Sequence, residues 1–374
     1  MEQRLKKSLI YNIFYSILLA LLFFGCVETP NNPTGEGKLY DTLTTPFPES
    51  GLIVLCEGLW NYNNSDIYVY DNTTEKTINS YFKTATGEYL GDIVSDMRVL
   101  EDGRIIFTAT GTKQLILLNY KVPAITSKIG ISYDRAAPRS LTTIGDRYYY
   151  TDLYRDEVRS GIISDTLTAP NKVYPTGPAP EDIIAHNGKL YIANSGFGDY
   201  RKEVKNAGML QILDPTTGTS EYIYIGPNLI QLSINRTENY IACGYLNTPS
   251  AVEKGELGGI KFVDLMTNNI LREMPLKDFS DVVLNESTGA IYYLAEGGLY
   301  LFPHINSRAI PQLIYDNTTN DVWPSLSIDG AKNEIWIGNA RNFQRDGEVI
   351  VVSTDGTILS TIQVGKNPRK VVGY

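Results

Sequence analysis

The hydrophobic positions of this chain fall into short runs that recur along most of its length. Seven runs are rich in aromatic or β-branched residues and end on a small or polar residue; they cover residues 52–56, 104–109, 147–152, 189–194, 239–243, 290–295 and 334–339. No segment after Cys26 keeps apolar residues at the 3.6-residue spacing of a confident helix. Short runs of this kind, separated by Gly, Asp, Asn and Thr, predict β-strands joined by turns.

A second element precedes these runs and gives the period of the chain. In its clearest copies this element consists of Pro or Ser, two further residues and then a pair of apolar residues. Its seven copies begin at residues 95, 138, 180, 229, 280, 324 and 368. The successive spacings are 43, 42, 49, 51, 44 and 44 residues, and further strand-like runs follow in most repeats. A period in the forties with four strands per repeat is typical of a β-propeller.

The two ends of the series predict how the ring closes. The last copy, at 368–374, has no strand of its own after it, and the run at 52–56 has no convincing element before it. Pairing the C-terminal strand in the first blade removes both deficits and hides sheet edges. We therefore predict an all-β fold over residues 50–374, a seven-bladed β-propeller of four-stranded antiparallel blades.

The first 26 residues are typical of a targeting segment. Arg4, Lys6 and Lys7 precede a largely apolar run at 9–25, as in a secretory signal peptide. Gly25-Cys26 resembles the lipobox of bacterial lipoproteins, although Phe23 and Phe24 depart from its usual pattern, so an uncleaved anchor or a plain signal peptide stays open. We predict a lipoprotein signal peptide at 1–25, and a lipidated Cys26 with a Pro/Gly-rich tether over 26–49. The resemblance implies an outer-membrane or cell-surface location, because Val27 is not Asp.

Composition narrows the classes of function. The net charge of −9 argues against nucleic acid as a partner. With 2 His and 3 Cys, a zinc enzyme, a CxxC redox protein and a disulfide scaffold are all poor hypotheses, and we predict no metal and no cofactor. Cys56 and Cys243 lie in blades that are not neighbours, so we predict two buried free thiols.

The repeat resembles a known family in residues 190–198, LYIANSGFG, and 208–218, GMLQILDPTTG. These segments are similar to the YVTN/YncE-like repeat, in which one strand ends on "YVxN" and the next on "DxxTG". Together with the signal sequence, the chain resembles seven-bladed surface lipoproteins of Gram-negative bacteria whose genes accompany outer-membrane uptake receptors. Some members of that group capture cobalamin. The resemblance implies a fold and a location, and only weakly a ligand.

Candidate binding residues lie mainly on the face to which the second-to-third-strand loops project. Aromatic and Arg side chains on such loops are enriched at binding hot spots, and polar strand ends and inner-strand acids could line the pore. The candidate ligand-binding residues are Trp60, Tyr62, Asp96, Asp152, Asp182, Asn194, Phe197, Tyr200, Tyr245, Trp323, Asn339, Arg341 and Phe343. Packing against neighbouring loops, or capping of turns, is the competing interpretation. A regular column of Tyr149, Tyr191, Tyr240, Tyr292 and Trp336 instead predicts packing between blades.

These features favour a non-catalytic lipoprotein that binds an unknown small molecule or protein. Nutrient capture for a TonB-dependent receptor is the sharper form of this hypothesis; surface adhesion or scaffolding, and a propeller hydrolase or lactonase, are the alternatives. We predict no catalytic residues, because His186 and His304 fall on the face opposite the long loops.

Overall fold

The computed structural model describes residues 47–122 and 124–374. The predicted signal peptide at 1–25, Cys26 and most of the predicted tether lie outside these residues. In the part that is described, no helix is long and apolar enough to cross a membrane.

Seven four-stranded antiparallel sheets form the blades of a propeller, which confirms the predicted fold. Blade 1 combines the C-terminal strand with the first three strands of the chain, and blades 2 to 7 each use four consecutive strands. The innermost strands, in the order of blades 1 to 7, are β28 (Pro368–Gly373), β4 (Val94–Val99), β8 (Pro138–Ile144), β12 (Pro180–His186), β16 (Leu229–Asn235), β20 (Asp281–Leu284) and β24 (Ser325–Asp329).

The second and third strands of each blade are the most completely buried, because each pairs on both sides. The second strands are β1 (Gly51–Cys56), β5 (Arg104–Ala109), β9 (Arg147–Asp152), β13 (Lys189–Asn194), β17 (Tyr240–Tyr245), β21 (Ile291–Ala295) and β25 (Glu334–Asn339). The third strands are β2 (Asp66–Asp71), β6 (Gln114–Asn119), β10 (Glu157–Ile162), β14 (Met209–Leu213), β18 (Gly258–Asp264), β22 (Gly298–Phe302) and β26 (Glu348–Ser353).

The outermost strands form the exposed rim of the ring. They are β3 (Lys76–Ile78), β7 (Ala124–Gly130), β11 (Lys172–Pro175), β15 (Ser220–Tyr224), β19 (Ile270–Leu276), β23 (Gln312–Asp316) and β27 (Ile358–Gln363). Two short helices, α1 (Tyr81–Thr86) and α2 (Pro249–Glu253), and a 3-10 turn at Gly198–Tyr200 interrupt the connections between strands.

Antiparallel order gives the ring two different faces. Connections from second to third strands and from one blade to the next open on one side, which we call the loop face. Connections from first to second and from third to fourth strands open on the other side, the turn face. His186 ends β12 and His304 follows β22, so both imidazoles belong to the turn face, as predicted.

The ring closes through the two chain ends. Strand β28 pairs antiparallel with β1, with Leu52 opposite Gly373 and Cys56 opposite Pro368. Since no sheet edge is left open between the last and the first blade, this pairing confirms the closure predicted from the incomplete repeats at both ends.

The core lies between blades as well as within them. The column of aromatic residues predicted to pack between blades is buried throughout, and its members contact apolar side chains of the following blade: Tyr149, Tyr191, Tyr240, Tyr292 and Trp336. This confirms their structural role. Cys56 and Cys243 are buried free thiols in different clusters, also as predicted.

Blade 5 corrects one detail of the predicted alignment. Strand β17 runs on to Tyr245, which pairs with Leu229 where Asn194 pairs with Pro180 in blade 4. Tyr245, not Cys243, therefore occupies the strand-end position of this blade, and Tyr240 lies two residues from the aromatic column of the other blades. The reason is a longer hairpin turn in blade 5: four residues separate Asn235 from Tyr240, whereas two separate His186 from Lys189 in blade 4. A constant spacing from the preceding element could not anticipate this.

Candidate functional site

A ring of polar side chains lines the pore near the loop face. Each comes from the equivalent position of an innermost strand; in the order of blades 1 to 7 they are Lys370, Asp96, Ser140, Asp182, Gln231, Asp281 and Ser325. Apolar residues follow directly in every strand and are buried between blades. The predicted pair Asp96 and Asp182 thus belongs to a ring with a third acid, Asp281, which the sequence analysis missed.

The three aspartates connect neighbouring blades. Asp96 Oδ1 accepts the N–H of Met97 in its own strand at 2.8 Å, while Oδ2 accepts the N–H of Leu141 in blade 3 at 2.8 Å. Asp281 repeats the pattern with Val282 at 2.7 Å and Leu326 of blade 7 at 2.8 Å. These carboxyls therefore serve the assembly of the ring.

Asp182 follows the same pattern and is coupled to Asp96 through a serine. Its Oδ2 accepts the N–H of Leu232 in blade 5 at 2.9 Å. The Ser140 hydroxyl lies 2.9 Å from Asp96 Oδ2 and 3.0 Å from Asp182 Oδ1. Burial, and next the charge of Asp96, raise the pKa of Asp182. Lys370 from the C-terminal strand pairs with Asp96 and brings a positive charge to this part of the pore.

An ion-pair bridge crosses the loop-face mouth of the pore. Arg139 donates to Glu181 at 3.0 Å and to Glu57 at 3.1 Å, so one guanidinium connects blades 1, 3 and 4. Asn367 donates to the second oxygen of Glu57 at 2.7 Å. The residues that the structure describes form no group of three or more His, Cys, Asp or Glu side chains arranged to hold a metal ion.

The long loop of blade 4, residues 195–208, is fixed from the side of blade 3. Arg201 forms two hydrogen bonds with the carboxylate of Asp156, at 2.8 and 2.5 Å. Phe197 packs against Tyr154 with ring centroids 5.8 Å apart. Tyr200, next to these anchors, is 82% exposed. The candidate residues of this loop thus divide into one that packs, Phe197, and one that faces solvent, Tyr200.

The same loop is fixed to blade 5 by Asp199. Its Oδ2 accepts a hydrogen bond from the N–H of Ser250 at 2.7 Å, and its Oδ1 accepts one from the Ser250 hydroxyl. Lys202 donates to Ser250 Oγ at 2.8 Å and to Asp199 at 3.1 Å. Although partial burial acts to raise it, the hydrogen bonds from Ser250 and Lys202 lower the pKa of Asp199 to about 2. We call this group the Asp199 latch.

Gly198 lies where the latch meets the next connection. Its φ is +59°, and a Cβ built there would lie 3.4 Å from the Thr248 methyl and 3.7 Å from the Asn228 amide carbon. A larger residue would be strained in this left-handed conformation. Thr248 in turn caps α2 by accepting the N–H of Ala251 at 3.2 Å.

A cavity of about 280 Å³ opens between the two loops that the latch joins. Its floor and walls are small or polar, with Ser195, Asn228 and Ser250 among them, and Tyr224 contributes an aromatic ring. Two cations and two anions also line it: Lys202, Lys254, Glu203 and Glu256. Such a mixture of opposed charges, amide and hydroxyl groups with one ring suits a polar ligand that both donates and accepts hydrogen bonds.

The polar strand-end candidates are buried and bonded to the protein. Asp152 accepts the N–H of Ala137 at 3.0 Å and the Tyr133 hydroxyl at 2.5 Å, and burial raises its pKa. Asn194, in the equivalent position of blade 4, donates to the Met209 carbonyl at 3.1 Å. Its Oδ1 has no hydrogen-bond partner among the described residues.

The candidates of blades 6 and 7 form a second, smaller group. Asn339 donates to Asp321 at 2.9 Å and to Glu348 at 3.0 Å, and Arg341 pairs with Glu348 at 2.6 Å. Trp323 is buried and stacks on Tyr315 with an interplanar angle of 3°. Trp323 and Asn339 line a cavity of about 100 Å³, which is smaller than the one at the latch.

The remaining candidates do not join either cavity. Trp60 and Tyr62 are exposed on the loop of blade 1, and Phe343 is half-buried on the loop of blade 7. Tyr245 is buried between blades 4 and 5, and its hydroxyl lies 3.2 Å from Glu273. The sequence located the loop face, but several residues that line the larger cavity, such as Lys202, Asn228 and Lys254, come from segments without a repeat signal.

Comparison with known proteins supports the fold and gives no family. No family model matches the chain, and no curated protein matches it. A quinonprotein alcohol dehydrogenase-like protein from Bacteroides thetaiotaomicron is similar in structure, with a TM-score of 0.64 and 12% identity over 88% of this chain and 79% of that one. A functionally unknown protein from Desulfotomaculum acetoxidans has a TM-score of 0.62 at 11% identity, over 87% and 98% of the two chains.

Kuenenia stuttgartiensis hydrazine synthase is a third structural relative. Its TM-score is 0.58 at 12% identity, over 76% of this chain and 92% of that one. At such identities the likeness concerns the propeller fold alone, because propellers carry many unrelated activities.

Proposed function

We propose that this chain is a lipid-anchored, non-catalytic binding protein of the outer membrane or cell surface. Its ligand occupies the cavity between the blade 4 and blade 5 loops. The observation that carries the proposal is the combination of that cavity of about 280 Å³ with loops bonded to three successive blades. A site fixed in this way loses little conformational entropy when it binds.

The hydrogen bonding of the pore aspartates supports a binding role rather than a hydrolytic one. A hydrolase would need free carboxylates or an imidazole aimed at one reacting atom. Asp96, Asp182 and Asp281 instead accept backbone N–H groups of the next blade, and Arg139 lies across the pore mouth. Both His residues lie on the turn face.

The cavity also limits what the ligand is. Its volume of about 280 Å³ accommodates a sugar unit, a peptide side chain or another small polar group, and lies just below the range of about 300–1,000 Å³ that is usual for ligand pockets. A corrinoid is far larger, so one bound here would lie across the loop face and insert only a side group. In its sharper form the proposal is capture of a nutrient that a TonB-dependent receptor then takes up.

A thermal-shift panel tests the binding role. The chain from residue 27 onward is melted with cobalamins, siderophores, glycans and short peptides. A ligand present at 100 times its Kd stabilises the folded state by about 2.7 kcal/mol, which is a readily measured rise in Tm. No shift with any class would refute the nutrient-capture form.

Membrane fractionation tests the anchor separately. Cys26→Ser is expected to release the protein from membranes, whereas Cys243→Ser, which changes a buried thiol outside the lipobox, is expected to leave it there. Unchanged fractionation of Cys26→Ser would refute lipidation.

A further inference from the structure

The point at which the N-terminal segment joins the propeller lies on the turn face. Phe47 packs against Tyr120 and Tyr374 with ring centroids 4.5 and 4.9 Å apart, and against Tyr81 at 5.3 Å. Tyr120 follows the turn-face end of β6, and Tyr374 follows the turn-face end of β28. The connection to Cys26 therefore starts opposite the loop face, at the seam between blades 1 and 2.

The rim next to the turn face exposes aliphatic side chains on three consecutive blades. The most exposed are Met266, at 76%, and Ile310, at 88%, in the turns of blades 5 and 6. The others stand at the turn-face ends of the outermost strands, and the complete set, which we call the apolar arc, is Met266, Ile270, Leu271, Ile310, Leu313, Ile358 and Leu359. Apolar side chains exposed in this way on neighbouring blades suit an interaction surface.

We propose that the turn face docks on the lipid surface through the apolar arc, so that the loop face and its cavity point away from the membrane. The inference rests on the lipid anchor of the proposed function. Apolar side chains also reach solvent on the loop face, for example Tyr62 and Tyr200. What distinguishes the two faces is the position of Phe47, because the chain that leads to the anchor leaves from the turn face.

The length of that chain makes the contact necessary for orientation. Twenty residues separate Cys26 from Phe47, and fully extended they span about 70 Å. Such a span alone would let the ring turn over. The apolar arc supplies a second contact with the membrane, and that contact fixes which face of the ring lies toward the lipid.

Site-specific quenching tests the proposal on the lipidated full-length protein. Thr267→Cys places a label beside Met266 on the turn face, and Tyr62→Cys places one on the loop face; Cys56 and Cys243 are buried and do not compete for it. The vesicles are phosphatidylcholine with a nitroxide-labelled tail, since the chain carries a net charge of −9 and anionic lipid would repel it. Fluorescence at residue 267 is expected to fall about two-fold or more, with little change at residue 62.

A second variant and a separate measurement distinguish failure of the docking surface from failure of the lipid anchor. Ile310→Ser is expected to weaken the quenching at residue 267 while the protein remains bound through its anchor. Equal quenching at the two positions, stronger quenching at residue 62, or no effect of Ile310→Ser would overturn the docking surface. If Cys26→Ser protein stays in the membrane fraction, the anchor itself fails, and that result is independent of the labels.

Discussion

The Asp281 carboxyl offers a quantitative test of how the ring is held together. It accepts two backbone N–H groups, one from Val282 at 2.7 Å and one from Leu326 of the next blade at 2.8 Å. Asp281→Ala removes both acceptor oxygens. Because the site is buried, water cannot fully replace them as hydrogen-bond acceptors. An orphaned buried donor costs about 1–3 kcal/mol, so the loss is about 2–6 kcal/mol when both are left unpaired.

The same carboxyl makes this loss depend on pH. Burial raises the pKa of Asp281 to about 7 from its usual 3.8, although Arg369 and the two N–H groups act in the opposite direction. A group whose pKa is raised by folding stabilises the folded state below its unfolded pKa, and this stabilisation is lost as the pH rises through the folded value. Between pH 5 and pH 8 the wild type should lose about 3 kcal/mol from this group, at about 1.36 kcal/mol per pH unit up to pH 7.

Urea denaturation at the two pH values measures both effects. Asp281→Ala should be clearly less stable than the wild type at pH 5, with a difference that shrinks by about 3 kcal/mol at pH 8. Asp281→Asn keeps one acceptor oxygen and cannot ionise, so it should remove the pH dependence at a smaller cost. Asp165→Ala, at an exposed turn, is the matched control and should change stability by less than about 0.5 kcal/mol. An equal loss for Asp281→Ala at both pH values would show that Asp281 does not titrate between them in the folded protein.

Three further predictions concern other parts of the ring. Burial raises the pKa of the Cys56 and Cys243 thiols, so a disulfide reagent should modify neither of them in the native protein and both after unfolding; rapid native reaction would contradict their burial. Phe47→Ala should lower the free energy of unfolding by about 2 kcal/mol, measured by denaturation, because the seam between the first two blades loses a half-buried ring. Asp199→Ala should speed hydrogen exchange at the Ser250 amide about tenfold, and unchanged exchange would show that the latch does not hold the loops.

The fold was predictable because its period is a property of local sequence. Strand-forming runs and turn residues repeat once per blade, and several second strands, such as Arg104–Ala109 and Glu334–Asn339, have the predicted bounds. Blade 5 deviates because two additional residues fit into its inner hairpin without changing the strand pattern. The offset of Tyr240 and Tyr245 could be seen only once pairing with β16 was known.

The candidate site was less predictable because it depends on contacts between blades. Ser280-Asp281 repeats Ser95-Asp96, so a signal for the third pore acid was present in the sequence. No such signal marks Lys202, Lys254 or Asn228, which meet only after two loops and a connection are folded against one another. The Asp199 latch joins residues 51 positions apart, and local patterning carries no information about that distance.

Calorimetric titration of a cavity-filling variant is the most direct test of the binding site. Ala207 lines the larger cavity, so Ala207→Trp should fill it, while Ala169→Trp places the same ring in a turn-face connection of blade 3. For the compound with the largest thermal shift, we expect unchanged affinity in Ala169→Trp and a loss of about 100-fold or more in Ala207→Trp, the equivalent of about 2.7 kcal/mol. Wild-type affinity in Ala207→Trp would contradict this expectation, because the ligand would then bind elsewhere on the propeller.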